Sequence, residues 1–252
     1  MKRGLKELNV STKRYDIIDK RLKNMEVMAK ALASRNEELA KNKKYIRIRG
    51  ESYRAVSLSD EAPLCGYSKN GAKKLDTILG HFKKDAPKPI EGSKKERRIQ
   101  NHIIKEALRH GRSLKYAMGL KKVEELLFAL DEVSLGDRKH TPIIRCDILA
   151  VGCFNGDWVP VLIELKYARE KTVLLGQLDA FCKEMKAHKT AFIKLLEACT
   201  GEKLAKDKII RKMVIWPKVN DKERYDTLDA FKGKDISVIE YSMEPVIVFE
   251  ER

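Results

Sequence analysis

Asp147 stands seventeen residues ahead of Glu164-Leu165-Lys166, and that tripeptide closes the apolar run Val159-Pro160-Val161-Leu162-Ile163. Two carboxylates held close together repel unless a cation lies between them. Hard oxygen donors with open positions suit Mg²⁺, with Mn²⁺ as an alternative ion, because such an ion keeps several waters and uses few protein carboxylates. The chemistry this suggests is that of a divalent-metal site.

A hairpin would bring the residues together. Asn155-Gly156 separates two strand-like runs, residues 143–154 and 158–166, and Asn-Gly is the strongest short hairpin signal because both turn residues take positive φ. With a two-residue turn, Phe154 faces Asp157, and counting outward Asp147 faces Glu164. Directly opposed residues share a face, with Cβ atoms about 4.5 to 5.5 Å apart. Lys166 lies two residues beyond Glu164, so the period of two puts it on that face as well. Pro160 implies an edge or a bulge, either of which could move the register by one.

Asp147 preceded by Cys146, followed by Glu164-Leu165-Lys166 at the end of the next strand, resembles the PD-(D/E)xK nuclease superfamily. The proline that usually precedes the aspartate is absent here. The resemblance covers roughly residues 90–220 and implies an α/β fold, a restriction-endonuclease-like αβββαβ core with a mixed sheet. It implies phosphodiester hydrolysis in which Asp147, Glu164 and the Leu165 carbonyl hold Mg²⁺ while Lys166 orients the attacking water.

Flanking helices extend the resemblance. In residues 94–109, Ile99, Ile103, Ile104, Ala107 and Leu108 form one apolar arc at about 100° per residue, with Glu96 near its centre. A carboxylate there costs several kcal/mol unless paired or metal-bound, as in the first-helix glutamate that joins the metal in many of these nucleases. The alternative for Glu96 is a first-turn glutamate stabilised by the helix dipole while still exposed to water. The helix beginning near Glu170 carries Gln177 and, four residues on, Phe181 on the same face. This is similar to the Gln-x-x-x-Tyr motif of the RecB-like branch, whose glutamine reaches the metal site or substrate, although Phe181 lacks the hydroxyl. An exposed helix glutamine is the alternative.

The elements around this core read in two parts. Residues 11–39 are helical and charged, 44–58 form a short β ribbon, and 68–82 are helical. Pro87 and Pro89 mark a linker, dividing residues 1–89, a basic and mainly helical region suited to DNA binding or dimerisation, from residues 90–252, the nuclease-like domain. After the Glu96 helix come a helix over 115–130, a weak first strand over 132–135, the hairpin, the glutamine helix, a buried strand over 209–216, a helix over 221–231 and closing strands over 236–241 and 245–249.

Composition agrees with a nucleic-acid enzyme. Fifty-three basic against thirty-seven acidic residues give a net charge of +16, the sign that displaces counterions from a polyphosphate. Residues 1–100 carry twenty-six basic and thirteen acidic side chains, net +13, so the attraction is concentrated ahead of the chemistry. No Gly-x-x-x-x-Gly-Lys-Ser/Thr loop occurs, so no nucleotide cofactor is expected. The start lacks an apolar leader, no run approaches a membrane span, and the five cysteines show no Cys-x-x-Cys pair. A reduced, cytoplasmic protein without membrane contact is expected. DNA is the expected partner, RNA the alternative substrate, and a homodimer or a non-cutting binding module of the same fold are the other readings.

Overall fold

The Asn155-Gly156 turn sets the geometry of everything near it. Both residues take positive φ, 52° and 78°, in a two-residue hairpin between strands Ile144–Phe154 (β4) and Asp157–Leu165 (β5). The ladder runs without a slip from Phe154↔Asp157 to Ile148↔Ile163 and ends there, with Asp147 and Glu164 just beyond its last pair. Pro160 sits opposite Val151 within it. Proline fits because β5 meets its other neighbour, strand Arg211–Pro217 (β6), only from Val161 onward. The missing N–H therefore falls where no strand lies alongside, on the edge where the Trp158 carbonyl accepts from Ala205 N instead.

The computed structural model describes residues 2–59, 74–81, 95–136, 143–167, 171–205, 207–218, 231, 235–243 and 247–252, with the backbone alone for 2–13, 81, 95 and 171–173. The remaining strands are Lys44–Arg49 (β1), Ser52–Ser57 (β2), Glu125–Leu135 (β3), Ile236–Ser242 (β7) and Val248–Glu251 (β8). Together they form one eight-stranded mixed sheet in the order β2-β1-β3-β4-β5-β6-β7-β8. β3, β4 and β5 are an antiparallel meander, β6 and β7 run parallel to β5, and β8 turns back on β7. The class is α/β.

Helices cover both faces. Lys2–Lys41 (α1), Lys171–Ala187 (α5) and Lys189–Thr200 (α6) pack with Leu149, Val151, Leu162 and Val214. Lys95–Arg109 (α3) and Leu114–Met118 (α4) pack with Ile148, Ala150, Ile163 and Ile215. Neighbouring residues of β4 thus enter opposite layers, the period-2 alternation of a two-sided sheet. Such strands read as continuous apolar runs, and each fully buried Leu or Ile contributes about 1.5 to 3 kcal/mol. The short helix Leu75–His81 (α2) lies by β2.

The leading segment enters the same core. Ile18, Leu22, Met25, Ala29 and Leu32 recur every three or four residues along α1 and are all at most 5% exposed. β1 pairs with β2 along its length and joins β3 through Arg49↔Asp131. The boundary at 89/90 and the Pro87 and Pro89 linker lie outside the described residues; one sheet and one apolar cluster draw on both sides of it.

One expected helix is a strand. The helix expected over 115–130 stops at Met118, because Gly119 takes the left-handed conformation and returns its N–H to Lys115 O and Tyr116 O. The leucines beyond it are the first half of β3, which spans 125–135 rather than the 132–135 expected. A run buried on both faces shows no alternation, so periodicity cannot separate helix from strand there; pairing with β4 decides. The strands expected over 209–216, 236–241 and 245–249 are β6, β7 and β8 with shifted ends, while the helix expected over 221–231 falls outside the described residues except for Phe231.

Candidate active site

At the open end of the hairpin the charged residues converge. Glu164 is 3% exposed, and Asp147 accepts a hydrogen bond on Oδ2 from Leu165 N at 2.8 Å. The two carboxyl groups lie within hydrogen-bonding reach of each other. Lys166 Nζ stands 3.0 Å from Glu164 Oε2 and 4.0 Å from Asp147 Oδ2.

Electrostatics follow from that packing. Burial first, then the charge of Glu164, pushes Asp147 up to about 8 against the pull of Lys166. Burial also raises Glu164. Without a cation the pair therefore holds a proton that separate carboxylates would lose. Lys166 is pushed down by burial, but Glu164 and Asp147 outweigh this and leave it above the usual lysine value. It stays an ammonium.

Glu96 joins from the other layer. It lies in the first turn of α3, half-buried, where its carboxylate accepts from the Tyr167 backbone N–H. Burial and then Asp147 raise it, with Lys166 opposing. It therefore sits at a helix N-terminus, half-buried and near the acidic pair.

Gln177 is placed differently. It borders a cleft with Ile144 and Arg145, beside the start of β4, and its Oε1 is buried without a hydrogen-bond partner. No hydrogen bond joins it to the four charged residues. Phe181, one turn on, is 1% exposed and meets Phe192 edge-on, so the ring is core.

Several supporting residues were not read from the sequence. Gln100 donates from Nε2 to the Asp147 carbonyl at 3.0 Å, fixing the strand that carries the aspartate. Its place four residues after Glu96 was a usable signal. The Lys166 backbone is pinned on two strands, its N–H donating to Ile215 O at 2.8 Å and its carbonyl accepting from the Tyr241 hydroxyl at 3.4 Å. Burial, then Glu96 and Tyr167, pushes Tyr241 up to about 12, so the hydroxyl keeps its proton to donate. Nothing local in β7 marks that tyrosine.

A second charged cluster borders the first. Between Asp131↔Ile148 and Val133↔Cys146, Glu132 occupies the register position opposite Asp147, with φ of 53°. It pairs with Arg49 at 3.1 Å. Asp131 pairs with Arg47 at 3.0 Å, both side chains 1% exposed. The β1–β2 hairpin is thereby tied to the strand beside Asp147.

The donor chemistry fits a hard dication: carboxylate oxygens meet at one strand end, and Mg²⁺ is commonly held by only one or two protein carboxylates plus water. Among the described residues no set of three His, Cys, Asp or Glu side chains is gathered tightly enough to enclose an ion by itself. No helix among the described residues is long and apolar enough to cross a membrane. No protein-family model, curated protein or solved structure gives a significant match to this chain.

Proposed function

We propose that this chain is a Mg²⁺-dependent nuclease that hydrolyses phosphodiester bonds in DNA, built on a restriction-endonuclease-like core of the PD-(D/E)xK type. The observation that carries the reading is the convergence of Asp147 and Glu164 at one strand end, with Lys166 at 3.0 Å from Glu164 and Glu96 alongside. The succession α3, α4, β3, β4, β5, α5, α6, β6 supports it, since with α4 and α6 as additions it follows the αβββαβ order. Electrostatics support it as well: buried carboxylates cost several kcal/mol unless a cation compensates them, and a protein that only binds gains nothing from the arrangement.

Asp147, Glu164, Glu96 and the Leu165 carbonyl are the residues that would hold the ion. When bound, Mg²⁺ supplies a lowered pKa for water and positive charge against the pentacovalent transition state. Lys166 is an ammonium beside the pair, so it can donate to the attacking water and to the charge that builds on the phosphate. Gln100 and Tyr241 keep the Asp147 and Lys166 backbones in place, which matters because a small displacement of a catalytic group costs rate steeply. Gln177 serves the substrate side of the site.

The test is incubation of the purified protein with supercoiled plasmid, linear duplex, single-stranded DNA and RNA, each with Mg²⁺, Mn²⁺ or EDTA. Cleavage of DNA that EDTA stops and Asp147→Asn removes is the expected result. Preferential cleavage of RNA would reassign the substrate. Binding of nucleic acid with no cleavage under any of these conditions would overturn the nuclease reading in favour of a binding module.

A further inference from the structure

Gly176 lies inside helix α5, where glycine is the weakest helix former apart from proline. Nothing within the chain asks for it. A Cβ built there would meet no atom within 4 Å, and the backbone is not in the left-handed region. The space above it is part of an open cleft of about 450 Å³ lined by Ile143, Ile144, Arg145, Gly176, Gln177 and Ala180. That volume is in the range that holds a ligand the size of a nucleoside. Arg145 is exposed, and it forms no ion pair among the described residues. Gln177 Oε1 is buried at the cleft without a donor. Only Cys146 separates Arg145 from Asp147 along β4, about 6.6 Å of strand rise, within reach of a single nucleotide.

We propose that this cleft is the subsite for the nucleotide next to the scissile phosphate, an inference that rests on the nuclease reading. Arg145 pairs with that nucleotide's phosphate. Its sugar and base lie over Gly176 and Ala180, where a larger side chain would stand in the way. Gln177 Oε1 accepts from a base N–H. An arginine without an ion pair among the described residues, an orphaned acceptor and a void over a helix glycine have one explanation if the missing partner is a nucleotide.

The test uses the full chain and a fluorescein-labelled single-stranded oligonucleotide, with binding read by anisotropy in Ca²⁺ and in EDTA and folding read by thermal melts. In the series wild type, Gly176→Ala, Gly176→Leu, affinity should fall stepwise, about tenfold or more at leucine, while Tm does not fall, because each replacement is the better helix former. Arg145→Ala should weaken binding about tenfold and lower the slope of log affinity against log salt by about 0.7, with Arg145→Lys recovering part of both. In cleavage assays the same variants should raise KM more than they change kcat. Wild-type affinity in both Gly176→Leu and Arg145→Ala overturns the subsite, and so does a wild-type protein that binds no oligonucleotide. If wild type never cleaves yet both variants bind less tightly, the subsite stands and the hydrolytic reading fails; unchanged cleavage and binding in both variants leaves hydrolysis and removes the subsite.

Discussion

Replacing Asp147 by Asn, or Glu164 by Gln, removes one of two neighbouring carboxyl groups that burial has already pushed toward their protonated forms. The neutral amide should therefore leave Tm unchanged or higher while cleavage and Mg²⁺ binding are lost. Calorimetric titration with Mg²⁺ checks the second half, and wild-type cleavage in either variant would rule the pair out. Lys166 behaves otherwise. Its ammonium sits 3.0 Å from Glu164, so it offsets the pair's charge before any ion arrives. Lys166→Ala should lower turnover by about 10² or more, as loss of a positioned catalytic group does, while Mg²⁺ affinity is kept or raised. A variant that cuts at the wild-type rate would leave Lys166 only a surface ion pair.

At the level of elements, the helix α1 is a structural part of the sheet's cover. Leu22 is fully buried in its apolar stripe, beside a polar dock in which His188 Nδ1 meets Asp19 Oδ1 at 2.8 Å and Arg14 pairs with Glu184. Leu22→Ala should cost about 2 to 5 kcal/mol in denaturant unfolding, the range for a leucine deleted from a packed core. A loss below about 1 kcal/mol would mean that α1 rests on the sheet without completing it. Truncating the chain before β3 would also strip β1 and β2, exposing the edge of β3 to other chains.

Two effects belong to the molecule as a whole. The first is a buried charge that responds to pH. Asp131 is enclosed with Arg47, Arg49, Arg54 and Glu132 around it, and burial lifts it to about 6 against the pull of Arg47 and Arg49. The unfolded carboxyl titrates near 3.9, so the folded chain holds this proton more tightly. The stabilisation is complete below about pH 4, is lost as pH rises through about 6, and is level above that; about two pKa units correspond to ~3 kcal/mol. Asp131→Asn should flatten that part of the stability profile. Denaturant unfolding of both proteins from pH 4 to 7 measures the difference, and parallel profiles would dismiss the buried proton. The second effect is the charge of +16, concentrated in the first hundred residues. Lys20, Lys23 and Lys41 are exposed on α1. Changing all three to Gln should reduce the slope of log affinity for duplex DNA against log salt by up to about 0.9 per lost phosphate contact. An unchanged slope would make these lysines merely solvated.

The hairpin was legible because its information is local. Asn155-Gly156 has one favourable turn geometry, and once the turn is fixed the period of two registers β4 on β5 as far as Ile148↔Ile163, leaving Asp147 and Glu164 at adjacent strand ends. The apolar arc of α3 was legible for the same reason, and with it the position of Glu96 in the first turn. The first half of β3 was not, because its leucines favour helix in isolation and only the hydrogen bonds offered by β4 make them a strand. Nor could the sequence show that the β1–β2 hairpin joins β3, or that Gln100, Tyr241 and Glu132 stand around the acidic pair. Spacing along the chain determines which residues share a strand face or a helix arc. Which arcs and faces meet depends on how eight strands and their covering helices exclude water together, and that is settled only when the whole sheet is assembled.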